Sequence, residues 1–259
     1  MPHADLVNEE RQEQIVALVN RQGRLTVAEL SERFEVSETT IRRDLAALAA
    51  RNAVRRVHGG AMRVRPVASS ETPILQRQTE HAAEKERIGA ATAALLQHGE
   101  TVMIAGGSTG LAVARHLTTL SKLTVVTDSL LVTNELLRQG QHRIILLGGQ
   151  VDPDEQAVRG TLSRLVMERL RVDKVILGTK AVSVERGLSA ETPEEAEFLQ
   201  AFIRCGNHVI LVTDSSKFEQ SALSYCAPLE SIHTLVTDNR LDEDIAEQIR
   251  ELGIYLLMV

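Results

Sequence analysis

Seven short apolar runs, spaced by helical patterns, constrain this chain more than any other feature. They lie at 101–105, 123–127, 143–147, 173–178, 208–213, 233–237 and 254–258. Helical periodicity falls between them at 108–118, 129–138, 161–170, 193–204 and 242–252. Runs apolar at nearly every position suit strands buried on both faces, and the intervening helices supply the crossovers that parallel strands need. The expected fold class is α/β, with a mostly parallel, doubly wound sheet.

In such a sheet, ligands bind beyond the carboxyl ends of the strands. Five polar or Gly-rich loops are expected there: Ala105-Gly106-Gly107-Ser108-Thr109-Gly110, Thr127-Asp128-Ser129, Leu147-Gly148-Gly149-Gln150, Gly178-Thr179-Lys180 and Thr213-Asp214-Ser215-Ser216-Lys217-Phe218. The first leads from a strand into a helix, so free amides and hydroxyls converge where the helix dipole favours an anion. A phosphate suits that place. The candidate effector-binding residues are Gly107, Ser108, Thr109, Asp128, Ser129, Gly149, Lys180 and Lys217. Taken singly, each has a packing role: Gly107 for a tight turn, Asp128 and Asp214 as caps of helices or turns. Taken together, they point to a ligand site.

The N-terminal quarter follows another pattern. Residues 9–21 put Ile15, Leu18 and Val19 on one helix face. Thr26 and Glu29 have capping-box spacing at the start of a second helix, whose Leu30 and Phe34 face a core. Ser37 N-caps a third, in which Ile41, Leu45 and Leu48 form the apolar face and Thr39, Thr40, Arg42 and Arg43 the polar one. Residues 53–57 alternate, a Gly59-Gly60 turn follows, and 61–64 complete a hairpin. Three helices and a hairpin make a winged helix-turn-helix, with Arg55, Arg56 and His58 on the wing. Residues 39–65 hold seven arginines against the single acid Asp44, within a chain of net charge −6. A basic patch behind a helix-turn-helix suits phosphate contact, with the third helix entering a major groove. Ser37, Thr39, Thr40, Arg42, Arg43, Arg55, Arg56 and His58 are the candidate DNA-binding residues, and paired modules are expected because one winged helix reads only a half-site.

Residues 65–73 contain two prolines and three small polar residues. The expected division is a DNA-binding domain at 1–65, a linker at 66–75 and a sensing and oligomerisation domain at 76–259. A long helical pattern over 74–98 makes Ile74, Ile88, Ala91, Leu95 and Leu96 candidates for burial before Gly99 ends it. Part of it could connect the domains or pair with another subunit.

The stretch Arg11…Ile15, Ser37-x-x-Thr40-Ile41-Arg42-Arg43-Asp44-Leu45 and Arg55-Arg56-x-His58-Gly59-Gly60-Ala61 resembles the N-terminal module of the DeoR family of bacterial transcriptional regulators. The later loops resemble that family's effector domain, itself similar to ribose-5-phosphate isomerase. Its matching stretches are the Gly-Ser-Thr loop, Val126–Leu130, Leu147-Gly148-Gly149, the Gly187-Leu188…Glu194-Glu195-Ala196-Glu197 run, Asp214–Phe218 and Ala227-Pro228-Leu229. The resemblance spans roughly residues 9–257. It implies a repressor of carbohydrate-metabolism genes that binds double-stranded operator DNA as a homo-oligomer, dimer or tetramer, under control of a phosphorylated sugar or related anion.

Two positions depart from the family pattern. Its first loop usually opens with Asp, where this chain has Ala105, and Lys180 stands where the family usually has Asp. Either the effector is more anionic than a simple sugar monophosphate, or the pocket is degenerate. Ser108, Thr109, Asp128 and Lys217 favour the first.

Two other functions compete. A sugar-phosphate isomerase could use Lys217 with Asp214 or Glu195 as base and electrophile. A dinucleotide sensor could use Ala105-x-Gly107-x-x-Gly110 with Asp128 as ribose acid. Eight scattered histidines lack ligand spacing and there is no Gly-x-Ser-x-Gly, so neither a metal, a cofactor nor a serine nucleophile is expected. Cys205 and Cys226 read as buried thiols of a reducing, cytoplasmic protein. No signal peptide and no apolar run of about 18 residues is present, so no membrane span is expected.

Overall fold

The computed structural model describes residues 8–22, 24–51, 53–57, 59–63 and 73–259. The chain forms two compact units, Met1–Pro66 and Val67–Val259.

In the first unit, α1 (Asn8–Gln22), α2 (Val27–Phe34) and α3 (Glu38–Ala50) pack around Ile15, Val19, Leu30, Phe34, Ile41, Leu45 and Leu48. Thr26 and Glu29 close the expected capping box, and the Ser37 hydroxyl accepts the Thr40 amide at 3.2 Å. The hairpin consists of β2 (Val54–Val57) and β3 (Gly60–Arg63), with Val57 opposite Gly60. A third strand, β1 (Arg24–Thr26), pairs with β3. Its three residues are too few to show a period of two. His58 lies outside the described residues, as do 64–72, which hold most of the expected linker.

The second unit opens with α4 (Ile74–Arg77), at the end of the span expected as linker, and α5 (Ala82–Ala93). The expected continuous helix over 74–98 is broken. His81 takes a left-handed conformation (φ 50°), and the buried Lys85 ties the carbonyls exposed at the break. Then come β4 (Thr101–Ile104), α6 (Ser108–Arg115), β5 (Thr124–Thr127), α7 (Leu130–Gln139) and β6 (Arg143–Leu146). A hairpin of β7 (Gln150–Asp152) and β8 (Ala157–Arg159) leads to α8 (Thr161–Met167) and β9 (Val172–Leu177). After β10 (Ala181–Ser183) and β11 (Gly187–Ala190) the chain completes α9 (Pro193–Cys205), β12 (Gly206–Val212), β13 (Ser224–Ala227), β14 (Thr234–Thr237), α10 (Glu243–Glu251) and β15 (Tyr255–Met258).

The seven apolar runs form one parallel sheet in the order β15-β14-β12-β9-β4-β5-β6. Alternate residues serve opposite faces. Val102, Ile104, Val125, Ile176 and Ile210 meet α5, α6 and α7 through Ile88, Val113 and Val132. Met103, Val126, Val175, Leu177 and Leu211 meet α9 and α10 through Phe202 and Ile249. Both faces are covered, which is why the strands read as continuous apolar runs. From β4 the chain proceeds to β5 and β6 on one side, then returns to β9 on the other. The topological switch point therefore lies between β4 and β9, where a crevice opens beyond the strand ends. The small sheet β10-β11-β13 was not legible as strands, since its members are only three or four residues long and β10 and β11 are buried at every position.

Candidate functional site

On the first unit, Thr39, Arg42 and Arg43 are exposed along α3, Thr40 is half-buried, and Arg56 is exposed on β2. Ser37 is exposed but spends its hydroxyl on the cap, 2.9 Å from that of Thr40. Arg42 meets Glu38 one turn earlier at 2.7 Å, with both side chains about half exposed. An exposed pair of this kind is worth only some tenths of a kcal/mol, so Arg42 can exchange partners easily.

Asp44, the one acid of the basic segment, points inward. It is 2% exposed and accepts from Arg11 Nε at 2.7 Å and Gln12 Nε2 at 3.0 Å. Its charge is consumed inside the unit and does not cancel the arginines of the outer face.

On the second unit, a cleft occupies the switch point. The loops after β4, β9 and β12 form its floor, α9 and the β7–β8 hairpin its sides, and residues 77–85 a further wall. Gly107, Ser108, Thr109, Lys180 and Lys217 line it, as expected. Gly107 adopts φ 135° at the N-cap of α6, and a Cβ on Gly110 would lie 2.4 Å from the Ala105 carbonyl oxygen. Glycine at these positions brings the first-turn amides of α6 to the cleft, where their own helix offers them no acceptor. Ser108, 8% exposed, adds a hydroxyl.

Three expected ligand residues do not line the cleft. Asp128 is 1% exposed, accepts the Gly106 amide at 2.7 Å and forms an ion pair with Arg159. It holds the Gly-rich loop and fixes Arg159, whose guanidinium also stacks 4.7 Å over the Phe198 ring. Ser129 is buried and caps α7 through the Val132 amide. Gly149 (φ 152°) is required because a Cβ would sit 2.3 Å from the Arg159 carbonyl oxygen. All three support the neighbouring loops. With Asp128 engaged in this way, a dinucleotide would lack its ribose acid.

Arg77, Lys85, Glu155 and Arg159 also line the cleft and were not anticipated. Lys85 was the legible one, since it lies three residues before Ile88 on the buried face of α5. Burial lowers its pKa from the ordinary lysine value; Asp214 opposes this and Lys217 adds to it. Asp214, 2% exposed, accepts the Ser216 amide and hydroxyl, while the Glu195 carboxylate completes a capping box with Thr192.

A winged helix-turn-helix on the same chain as an α/β unit with a polar switch-point cleft defines a DNA-binding transcriptional regulator that carries its own sensor. Residues 11–67 match the DeoR-like helix-turn-helix domain, and residues 80–239 match the DeoR C terminal sensor domain. The transcriptional repressor AccR of Agrobacterium fabrum is 34% identical over 94% of this chain and 95% of its own length. The glycerol-3-phosphate regulon repressor of Escherichia coli is 35% identical over 88% and 90%. The chain belongs to the DeoR family of transcriptional regulators. Ribose 5-phosphate isomerase A of Methanocaldococcus jannaschii matches 54% of the chain and 55% of its own at a TM-score of 0.40 and 14% identity, too slight a likeness to bear on any reaction. The family is one of regulators, which sets the isomerase alternative aside. Among the described residues, no helix is long and apolar enough to cross a membrane.

Proposed function

We propose that this protein is a cytoplasmic repressor of carbohydrate or polyol genes, released from or held on its operator by a phosphorylated small molecule in the switch-point cleft. The observation that carries the effector class is the anion-suited floor: the α6 amides at Gly107–Gly110, the Ser108 and Thr109 hydroxyls, and the ammonium groups of Lys180 and Lys217. Cations and helix-start amides together favour a phosphate over a neutral sugar. The relative named for the glycerol-3-phosphate regulon supports the same class.

Thr39, Thr40, Arg42 and Arg43 read base edges while Ser37 orders the helix start. Arg55, Arg56 and His58 follow phosphates from the wing. The domain division is 1–65 for DNA reading and 76–259 for sensing and assembly, joined through 66–75. A homo-oligomer is supported by α8, which turns Ser163 and Met167 inward and leaves Leu162, Leu165 and Val166 at 64%, 52% and 43% exposure. Three exposed aliphatics at i, i+3 and i+4 make an apolar face suited to a second copy.

A duplex selected by the protein from random DNA tests the reading end. Arg42→Ala and Arg43→Ala are expected to weaken binding about 5-fold or more each and to relax its sequence preference. Binding that ignores both changes refutes the assignment. A thermal-shift panel of sugar and polyol phosphates tests the sensing end, because a ligand of the folded form raises the melting temperature. A shift that survives Ser108→Ala with Lys217→Ala refutes the cleft.

A further inference from the structure

The first segment of the sensor unit, Pro73–Lys85, behaves as a strap fastened by cations. The Ile74 side chain is fully buried, and its amide bonds the Asp154 carbonyl at 2.9 Å in the turn between β7 and β8. Arg77 pairs with Glu155 of that turn at 2.5 Å, the two side chains being 11% and 15% exposed. Past the left-handed His81, Lys85 reaches back and donates to the carbonyls of Arg77 and Glu80, each at 2.7 Å. Arg77, Lys85 and Glu155 all line the cleft that holds the Gly-rich loop.

The ties that fasten the strap thus face the place proposed for a phosphate. A dianion there attracts Arg77 and Lys85 and repels Glu155. An Arg–phosphate contact is of the same charge-assisted kind as Arg–carboxylate, so a phosphate in the cleft competes with Glu155 for Arg77. A ligand that contacts Arg77 in one arrangement and not in the other shifts the two through its differential affinity.

We infer that a phosphate-bearing ligand takes Arg77 from Glu155 and loosens the strap Pro73–Lys85 from the β7–β8 turn, and that this strap reports occupancy of the cleft to the DNA-reading unit. The strap begins within the span expected as linker and is the part of the sensor unit that comes first after the DNA-reading unit in the sequence. The inference rests on the proposed phosphate site. It adds a sensing role for Arg77 and Glu155, which neither the Gly-rich loop nor the family match assigns.

Hydrogen exchange on the full chain tests it, with inorganic phosphate and glycerol 3-phosphate as probes and a thermal shift measured alongside. Where a probe stabilises the wild type, peptides over 74–80 are expected to exchange about 5-fold faster or more, the lower end of ordinary coupling. The same probe is expected to change affinity for the selected duplex by a similar factor. In Glu155→Gln the strap peptides should exchange fast without probe, and the probe should leave both exchange and DNA affinity nearly unchanged while still raising the melting temperature. Should that variant not fold, Arg77→Gln removes the same pair from the strap side. Stabilisation with unchanged or slower strap exchange overturns the inference and leaves the phosphate site standing. Coupling to DNA that persists in the variant also overturns it. If neither probe stabilises the wild type, the phosphate site fails and the inference falls with it.

Discussion

Replacing Asp128 by alanine would separate its loop-holding role from direct ligand contact. The carboxylate is buried, accepts the Gly106 amide and neutralises Arg159. Its removal leaves that guanidinium without a counter-charge and the Gly106 amide without an acceptor. Removing one partner of a buried pair costs about 3–5 kcal/mol. Arg159 is 21% exposed, so water relieves part of this, and about 3 kcal/mol is expected. For a unit of this size 1 kcal/mol moves the midpoint by about 2–4 °C, so Asp128→Ala should melt about 6–12 °C below wild type by calorimetry. Asp128→Asn keeps a neutral acceptor for the Gly106 amide and should lose roughly half as much. Phosphate should still raise the melting temperature of Asp128→Asn, because the side chain does not reach the cleft. An alanine variant within about 2 °C of wild type would refute the burial argument. An asparagine variant that melts normally but no longer responds to phosphate would place Asp128 on the ligand.

Three further outcomes are expected. Arg11→Ala strands Asp44 inside the helix-turn-helix with Gln12 as its one remaining side-chain donor among the described residues, so that unit should lose about 3 kcal/mol or more, seen as an earlier melting transition. His208 is half-buried, stacked 4.9 Å from His233, and its pKa is lowered from 6.5 first by burial, then by His233 and Lys174. Its folded pKa lies below its unfolded one, so its share of the stability is complete above about pH 6.5 and is lost as pH falls through the folded value; His208→Gln should flatten a denaturation series over that interval. Burial pushes the Cys226 thiol up to about 12 and raises that of Cys205, so a disulfide thiol reagent at pH 8 should titrate neither in the native protein and both in denaturant.

Much of the cleft was legible because its signals are local. A strand, a Gly-rich turn and a helix start occupy ten consecutive residues, and Gly107, Ser108 and Thr109 line the cleft as expected. Lys180 and Lys217 were found for the same reason, each lying just after an apolar run. Asp128, Ser129 and Gly149 share that local signature but line no part of the cleft. The strap was misread because periodicity over 74–98 continues across His81. A short turn over 78–81, ending on the left-handed His81, breaks the helix without disturbing the spacing of Ile74, Ile88 and Leu96.

The sequence by itself determined the architecture: runs apolar at nearly every position require two covered faces, and the helical patterns between them supply the cover. It also determined the helix starts at Thr26 and Ser37, where a cap and its amide lie within one turn. Only the tertiary structure decided where the charges point. Asp44 meets Arg11 across 33 residues, Asp128 meets Arg159 across 31, and Arg77 meets Glu155 across 78. No local period encodes such pairings, because a carboxylate near a loop can bind ligand, cap a helix or neutralise a distant arginine with the same neighbours in sequence. Burial decides among these, since a charge removed from water must find its partner inside the fold.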